Sequence, residues 1–171
     1  MKTFLKYSGF LAAVIAVVGF ILMMATPAFS NGDHVINGTA AIFGEDLGEL
    51  AGIKSHLDAA WSATLGWILA MVGVIALLLG VILPLLKLNK FAGLINLIAL
   101  CALVFGGVFV FVSQPCSVTT SGYGAAAITN PYSDHALSAT WIIAGILYIA
   151  AGALAILPAA MDLFGGKKKR K

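Results

Sequence analysis

The sequence predicts an all-α integral membrane protein, an antiparallel bundle of four transmembrane helices, and two observations lead to that prediction. First, 61% of the 171 residues are hydrophobic and 10% are charged, whereas soluble domains average about 45–50% apolar and about 25% charged residues. Second, four uncharged apolar stretches are each long enough to cross a hydrocarbon core of about 30 Å as a helix. This composition excludes a water-soluble globule, and it is the opposite of the composition that disorder requires.

The four predicted spans are continuous apolar runs, which favours helices over the alternating ten-residue strands of a membrane barrel. None of them contains Asp, Glu, Lys, Arg or His, and Asp162 follows just beyond the fourth. The predicted spans are Gly9–Thr26, Trp61–Leu86, Phe91–Val112 and Leu137–Met161.

The charged residues predict the orientation of the chain. Nine of the ten basic residues lie before the first span, in the turn between the second and third spans, or after the fourth, and Lys54 is the exception. Six of the seven acidic residues and all three histidines lie in the other two connections. Because basic residues stay in the cytoplasm, we expect a multi-pass plasma-membrane protein with both termini cytoplasmic and outer loops at 29–60 and 113–136. The net charge of +3 averages two opposite faces and does not indicate nucleic acid as a partner.

The first thirty residues have a second interpretation. A basic start, an apolar run and the small residues around Ala28 and Ser30 also fit a cleaved signal peptide. The apolar run is longer than the usual ~7–15 residues of such a peptide, which favours a retained helix. Cleavage would leave three helices in the same orientation.

The chain 1–171 is predicted to be one membrane domain made of two similar hairpins, at about 1–86 and 87–164, followed by a basic tail at 165–171. The segments Asp58–Thr64 and Asp134–Thr140, which lead into the second and fourth spans, match at five of seven positions. Such same-direction repeats would be related by an axis along the membrane normal. The alternative is coincidence, because alanine-rich apolar helices resemble one another.

Small residues recur at a seven-residue spacing in all four spans. Because lipid gives no hydrophobic drive between helices, close packing of small residues holds membrane helices together, and a seven-residue repeat keeps one side of each helix facing its neighbour. We therefore predict that these residues face inward, although glycine and alanine are common enough here to imitate a repeat. The predicted packing residues are Gly19, Gly66, Gly73, Gly80, Ala99, Gly106, Gly145 and Gly152.

Two polar residues within the spans are candidates for internal hydrogen bonds. Asn96 is the one amide in a predicted span, and we expect it to hydrogen-bond to a neighbouring helix, with ligand binding as the alternative. Tyr148 is expected to satisfy its hydroxyl group within the bundle. The tryptophans Trp61, Trp67 and Trp141 lie toward the outer ends of their helices, as an interfacial belt would require.

The first outer loop contains apolar residues at three- and four-residue spacing between Gly44 and Trp61, with acidic residues at the start. This pattern predicts a short amphipathic helix that caps the bundle or contacts a partner or lipid. The second outer loop is small and polar, which is typical of turns.

Each histidine lies beside an aspartate in the sequence, which raises a metal site as a hypothesis. If the hairpins are duplicates, the starts of the second and fourth spans lie close together, and a divalent metal such as zinc would have four ligands. The alternative is that these are ordinary surface residues, since no known metal-binding spacing is present. The candidate ligands are His56, Asp58, Asp134 and His135.

The C-terminal tail joins two glycines to five consecutive basic residues. Each positive charge near an anionic membrane surface contributes about 1 kcal/mol. We therefore expect the tail to fix the topology and to bind anionic lipid of the inner leaflet. Its charges are Lys167, Lys168, Lys169, Arg170 and Lys171.

No motif for catalysis or transport stands out. There is no nucleophile–base pair, no glycine-rich phosphate loop and no charge inside a predicted span, a feature that ion-coupled transporters normally have. We expect a non-enzymatic structural or accessory protein, without cofactors, that binds a protein partner or lipid through its outer loops and helix faces. The alternative is a homo-oligomeric channel or a small-solute permease.

The predicted layout resembles that of claudin-type tetraspans, with four spans, cytoplasmic ends and a larger first outer loop. The resemblance covers the layout alone. The first loop has no cysteine pair and no Gly-Leu-Trp-type motif, and the second lacks the Cys-Cys-Gly of tetraspanins. It therefore implies no functional residues for this chain.

Overall fold

The computed structural model describes residues 2–31, 34–50, 53–113, 118–122, 128–131 and 135–164, and these are mostly helical. The helices are α1 (Lys2–Ala25), the short α2 (Gly38–Phe43), α3 (Trp61–Ile82), α4 (Asn89–Phe111) and α5 (Ala139–Phe164). The strands are β1 (Pro27–Asn31), β2 (His34–Asn37), β3 (Glu45–Leu50), β4 (Ile53–Leu57), β5 (Val118–Gly122), β6 (Ile128–Pro131) and β7 (Ala136–Leu137).

Four helices are long and apolar enough to cross a membrane, which confirms the four predicted apolar segments to within two residues at each end. The second continues past α3 as a 3-10 turn, Leu83–Leu86, which contains Pro84. Lys87 follows this turn with φ of +61°. The segments are Tyr7–Ala25, Trp61–Leu86, Asn89–Phe111 and Ala139–Leu163.

The four long helices pack in a ring. Helix α1 lies beside α3 and α5, and α4 lies beside the same two helices. Neighbours run in opposite directions: Gly9, near the start of α1, lies beside Val81 and Pro158, near the ends of α3 and α5. In the same way Gly93, near the start of α4, lies beside Asp162 at the end of α5. We call the end that holds Leu83–Leu86 the turn end, and the opposite end the strand end.

Residue size separates the inside of the ring from its outer surface. Buried positions are dominated by alanine and glycine, with a few larger side chains such as Leu77 and Leu103. Phe10, Ile75 and Phe105 are all more than half exposed. A soluble helical protein would bury its large apolar side chains, whereas lipid solvates them and leaves close packing of small residues to join the helices.

The predicted amphipathic helix at Gly44–Trp61 is wrong, because its first two thirds form a β-hairpin of β3 and β4. The spacing of the apolar residues suggested a helix, but Gly44, Gly48 and Gly52 recur through the segment, and each glycine costs about 1 kcal/mol in a helix interior. Gly44 and Gly48 have φ of +79° and +91°, which glycine adopts readily and a helix excludes.

The second outer loop also contributes strands, which its turn-like composition did not reveal. Strands β3, β4, β5 and β6 form one antiparallel sheet in that order, and β2, β1 and β7 form another. Strand β4 pairs with β5 from Lys54 with Gly122 to Leu57 with Thr119. Each sheet therefore contains strands from both loops. We call α2 and the seven strands the strand layer.

Short polar contacts fasten the strand layer to the helix ends. The Thr64 hydroxyl in α3 donates to the Ile42 carbonyl oxygen of α2 at 2.6 Å. The Gly38 backbone N–H donates to the Thr26 carbonyl oxygen at 3.0 Å. Ser138 hydrogen-bonds through its hydroxyl to the carbonyl oxygen of Pro27 in β1. The layer is thus attached to both α1 and α3, and to the start of α5.

Trp141 is not part of an interfacial belt, contrary to the prediction, because it is completely buried. Its indole N–H donates to the Met23 carbonyl oxygen at 3.1 Å, and its ring packs against Phe29 of β1 with ring centroids 5.8 Å apart. The side chain therefore joins α5, α1 and the strand layer. Trp61, in contrast, is 56% exposed at the strand end.

Candidate functional site

A cavity of about 520 Å³ lies at the turn end of the ring, and we call it the end cavity. Its volume falls within the range of about 300–1,000 Å³ that small-molecule sites occupy. All four long helices and the 3-10 turn contribute to its wall. The lining residues are Tyr7, Gly9, Phe10, Gly80, Val81, Pro84, Leu85, Asn96, Pro158, Met161 and Asp162.

Glycines and prolines create the space. Gly9 and Gly80 both line the cavity and place no side chain in it. Pro84 lies in the turn after α3, and Pro158 lies inside α5, where a proline removes one helix hydrogen bond and favours a kink. The wall is consequently almost entirely apolar, apart from Tyr7, Asn96 and Asp162.

Asn96 is the buried polar group of this wall. Its side chain is 1% exposed, and neither its amide nitrogen nor its amide oxygen has a hydrogen-bond partner among the described residues. The predicted hydrogen bond to another helix is therefore absent from this part of the chain, because α3 presents Gly80 opposite the amide. A Cβ atom built on Gly80 would lie 2.1 Å from the Asn96 amide oxygen. A buried polar group without a partner costs about 1–3 kcal/mol.

Asp162 lines the same cavity as Asn96. A Cβ atom built on Gly93 would be 3.1 Å from the Asp162 Cβ atom, and Gly93 precedes Asn96 by three residues on the same helix. Residues three apart on a helix are neighbours on its surface. The carboxylate and the amide are thus two of the few polar groups in an otherwise apolar wall.

The mouth of the end cavity opens on the outer surface of the ring. The lining side chains Tyr7, Phe10, Leu85 and Met161 are 56%, 59%, 79% and 43% exposed. A groove of about 420 Å³ continues from the mouth along α1 and shares Tyr7 and Phe10 with the cavity. The groove follows α1 toward Val14, away from the turn end.

The predicted packing residues lie between helices, and the three glycines of α3 all face α4. Gly66 approaches Gly106, Gly73 approaches Leu103, and Gly80 approaches Asn96. The remaining members are buried as well: Gly19 lies against Tyr148, and Gly145 and Gly152 lie against α4. Ala99 is completely buried.

Gly107 was missed by the sequence analysis. A Cβ atom at this position would lie 2.7 Å from the Gly145 carbonyl oxygen in α5, whereas its neighbour Gly106 faces Gly66 in α3. Helix α4 therefore needs two adjacent glycines because it packs against two helices. The glycine pair in the sequence is the signal that could have revealed this.

Tyr148 is completely buried, and its hydroxyl group donates to the Met23 sulfur at 3.8 Å. Thioether sulfur is a weak acceptor. The side chain lies between α1 and α5. It is about 15 Å along the helix from Pro158 in the wall of the end cavity, at a rise of about 1.5 Å per residue.

The metal hypothesis receives no support from the described residues, among which no group of three or more His, Cys, Asp or Glu side chains is placed to hold a metal ion. His56 pairs instead with Asp46 across β3 and β4, with Nδ1 2.6 Å from a carboxylate oxygen, and its Nε2 lies 3.8 Å from Asp58. His135 precedes β7, in the other sheet. Asp134 lies outside the described residues.

The basic tail Lys167–Lys171 also lies outside the described residues. Comparison of the chain with protein-family models, with curated proteins and with solved structures finds no match. Function must therefore be inferred from the geometry and chemistry of the chain itself.

Proposed function

We propose that the chain is a plasma-membrane tetraspan whose four long helices form an antiparallel transmembrane bundle with both termini in the cytoplasm. The outward placement of Phe10, Ile75 and Phe105 supports a lipid-embedded ring. The basic residues Lys87 and Lys90 lie at the turn end and are exposed, which supports a cytoplasmic turn end.

A retained first helix is supported by the strand layer. The small-residue segment that resembles a cleavage site lies in β1, which is the central strand of its sheet. Ala28 and Phe29 in that strand are completely buried. Removal of residues 1–30 would take away α1 and most of β1 together.

We propose further that the protein is a non-enzymatic structural or accessory component that binds a protein partner through the strand layer. The observation that carries this proposal is the β4–β5 pairing, which unites the two loops in one sheet and so builds one surface. Edge strands offer main-chain N–H and C=O groups to a partner strand. In the described part of the chain, β3 and β6 are the edges of this sheet.

The negative charges of β3 suggest that the partner segment is positively charged. Glu45 and Asp46 are exposed on this edge strand, and the Asp46 side chain is 90% exposed even though it contacts His56. Opposite charges directly across a strand pair stabilise the pairing. A partner segment with lysine or arginine at matching positions would fit this edge.

A photo-crosslinking experiment tests the docking proposal. We expect a photoreactive amino acid at Glu45 to capture one protein in native membranes, and the same substitution at exposed Lys90 at the turn end to capture none. The captured protein should also be lost when the Asp46 charge is reversed. Equal capture from both positions, or none from either, would contradict docking through β3.

The alternative function is a homo-oligomeric channel or permease. Leu77, Leu103 and Tyr148 are completely buried inside the ring, which favours an accessory role over a pore through one bundle. The purified protein in liposomes is expected to leave the flux of small neutral solutes at the level of protein-free liposomes. A solute-selective leak would replace the accessory proposal with the channel.

The proposed topology predicts a labelling pattern for single cysteines introduced into a chain in which Cys101 and Cys116 are replaced by serine. In intact cells an impermeant maleimide should label Asp46→Cys in β3 fully and should leave Lys87→Cys unlabelled until the cells are permeabilised. Both side chains are exposed, so accessibility within the protein does not limit either reaction. The reverse pattern would invert the topology.

The basic tail is assigned to the same cytoplasmic face in this proposal. Its five positive charges would bind anionic lipid of the inner leaflet with about 1 kcal/mol each, in addition to fixing the orientation.

A further inference from the structure

The buried amide of Asn96 determines which hydrogen-bonding groups a ligand of the end cavity must have. An asparagine side chain has two N–H donors and a carbonyl acceptor, and neither polar atom of Asn96 has a partner among the described residues. Both atoms are almost completely covered and lie against Gly80 of α3, so a ligand reaches them only after the amide turns toward the cavity. A hydroxyl group both donates and accepts, and one hydroxyl group can then serve both atoms. An ammonium group only donates, and it would leave the two amide N–H groups of Asn96 without an acceptor.

The charge of the cavity wall excludes negatively charged head groups of the ligand. Asp162 lines the cavity together with Asn96, and none of the lining residues that the structure describes is basic. A carboxylate or phosphate head group would therefore meet a like charge with no compensating cation. An uncharged head group with a second hydroxyl group can donate to Asp162 while the first pairs with Asn96.

The shape of the site indicates a long apolar chain attached to that head group. The mouth opens between α1 and the 3-10 turn at Phe10 and Leu85, both of which are exposed on the lipid-facing surface. The adjoining groove along α1 is lined by Phe10, Leu11 and Val14 together with Tyr7 and Ser8. An acyl chain in this groove would lie between the protein and the surrounding lipid.

We infer that the end cavity binds an uncharged amphiphile with a diol head group and one acyl chain, which is the chemistry of a monoacylglycerol. The head group sits between Asn96 and Asp162, and the chain leaves through the mouth along α1. The ligand enters laterally from the bilayer. This inference rests on the proposed membrane embedding of the four long helices. It does not depend on docking through the strand layer, and it holds for either orientation of the chain in the membrane.

The first test measures ligand binding to the purified protein in detergent, through the rise in the thermal unfolding temperature with added 1-oleoylglycerol. We expect saturable binding, and weaker binding of oleate and of oleylamine, which have chains of the same length with charged head groups. Equal or tighter binding of either charged analogue would overturn the diol assignment. The absence of saturable binding of all three would overturn the site.

The Asn96→Leu variant separates a binding role from a structural one. Leucine has a similar shape without polar atoms, so the ligand-free variant should unfold at a higher temperature than the wild type. Its affinity for 1-oleoylglycerol should nevertheless fall about tenfold through the loss of the hydrogen bonds at the head group. The matched control is Asn89→Leu at the exposed start of the same helix, which should leave the affinity unchanged. Unchanged affinity in Asn96→Leu would overturn the inference.

A second measurement keeps the wild-type chain and so does not depend on a variant folding. A 1-acylglycerol with a diazirine in its acyl chain should crosslink to peptides that contain Phe10, Leu11 or Leu85. Excess 1-oleoylglycerol should suppress these adducts. Adducts spread evenly over the lipid-facing surface, including exposed Phe105 in α4, would show that the lipid contacts the protein as ordinary solvent and would overturn the site.

Discussion

Replacement of Gly38 by alanine is expected to lower the free energy of unfolding by about 3–5 kcal/mol, which is at the upper end for a single methyl group. A Cβ atom on Gly38 would lie 2.0 Å from the Met23 carbonyl oxygen and 2.9 Å from that of Thr26. Both are backbone atoms at the end of α1, so no side-chain rotation relieves the overlap. The chain must move away from α1, and the hydrogen bond from the Gly38 N–H to Thr26 is then lost.

The measurement is unfolding of the purified protein by sodium dodecyl sulfate, followed by tryptophan fluorescence, together with limited proteolysis of the 26–60 segment. The comparison variant is Gly48→Ala in β3, where a Cβ atom would meet nothing within 4 Å although φ is +91°. Gly48→Ala has the cost of its own backbone conformation, about 1–2 kcal/mol, and no steric overlap, whereas Gly38 has no positive φ and its substitution has the overlap alone. If both variants lose the same stability, the close approach of α2 to α1 is not what holds the strand layer in place.

The four long helices were predictable because the property that defines them, the length of an apolar run, can be read directly along the sequence. An uninterrupted apolar run of sufficient length must satisfy its backbone groups within itself in lipid, and a helix does so regardless of what it packs against. The ends were predictable for the same reason: Pro84 and Lys87 mark the end of α3 and its turn by their own chemistry. No tertiary information was needed for either.

The strand layer was not predictable in this way, because its strands are short and their partners are distant in the sequence. Strand β4 lies between β3, its neighbour in the chain, and β5, more than sixty residues away. The regular spacing of Leu47, Leu50, Ile53 and Leu57 imitated a helix. The glycines at 44 and 48 carried the contrary information, and counting their helix cost would have favoured a hairpin.

The candidate site was also predictable only in part. Asn96 stood out in the sequence as an amide within an apolar span, but what it faces depends on the helix opposite. That helix presents Gly80, so the expected hydrogen bond has no acceptor or donor there. The same glycine that permits close packing of α3 and α4 therefore leaves the amide without a partner, and the cavity beside it forms from Gly9, Pro84 and Pro158, which lie far apart in the chain.

The second large effect is expected at Gly107, where alanine should force α4 and α5 apart. A Cβ atom would lie 2.7 Å from the Gly145 carbonyl oxygen and 2.8 Å from the Ile149 side chain. Overpacking of this kind costs about 1–3 kcal/mol, and the backbone contact places Gly107→Ala at the upper limit. In a lipid-embedded ring the helices can yield by separating, since lipid then solvates the exposed surfaces.

The comparison variant for this prediction is Gly9→Ala, whose Cβ atom would lie 3.5 Å from Val81 and 3.7 Å from Pro158, at ordinary contact distances. Unfolding in sodium dodecyl sulfate should shift strongly for Gly107→Ala and little for Gly9→Ala. A cysteine pair across α4 and α5, one on each helix near these glycines, should crosslink more slowly in Gly107→Ala. Because Gly106 faces α3 and Gly107 faces α5, crosslinking between α3 and α4 should be less affected. Equal slowing at both interfaces would mean that α4 responds as a whole, and that its adjacent glycines do not serve separate neighbours.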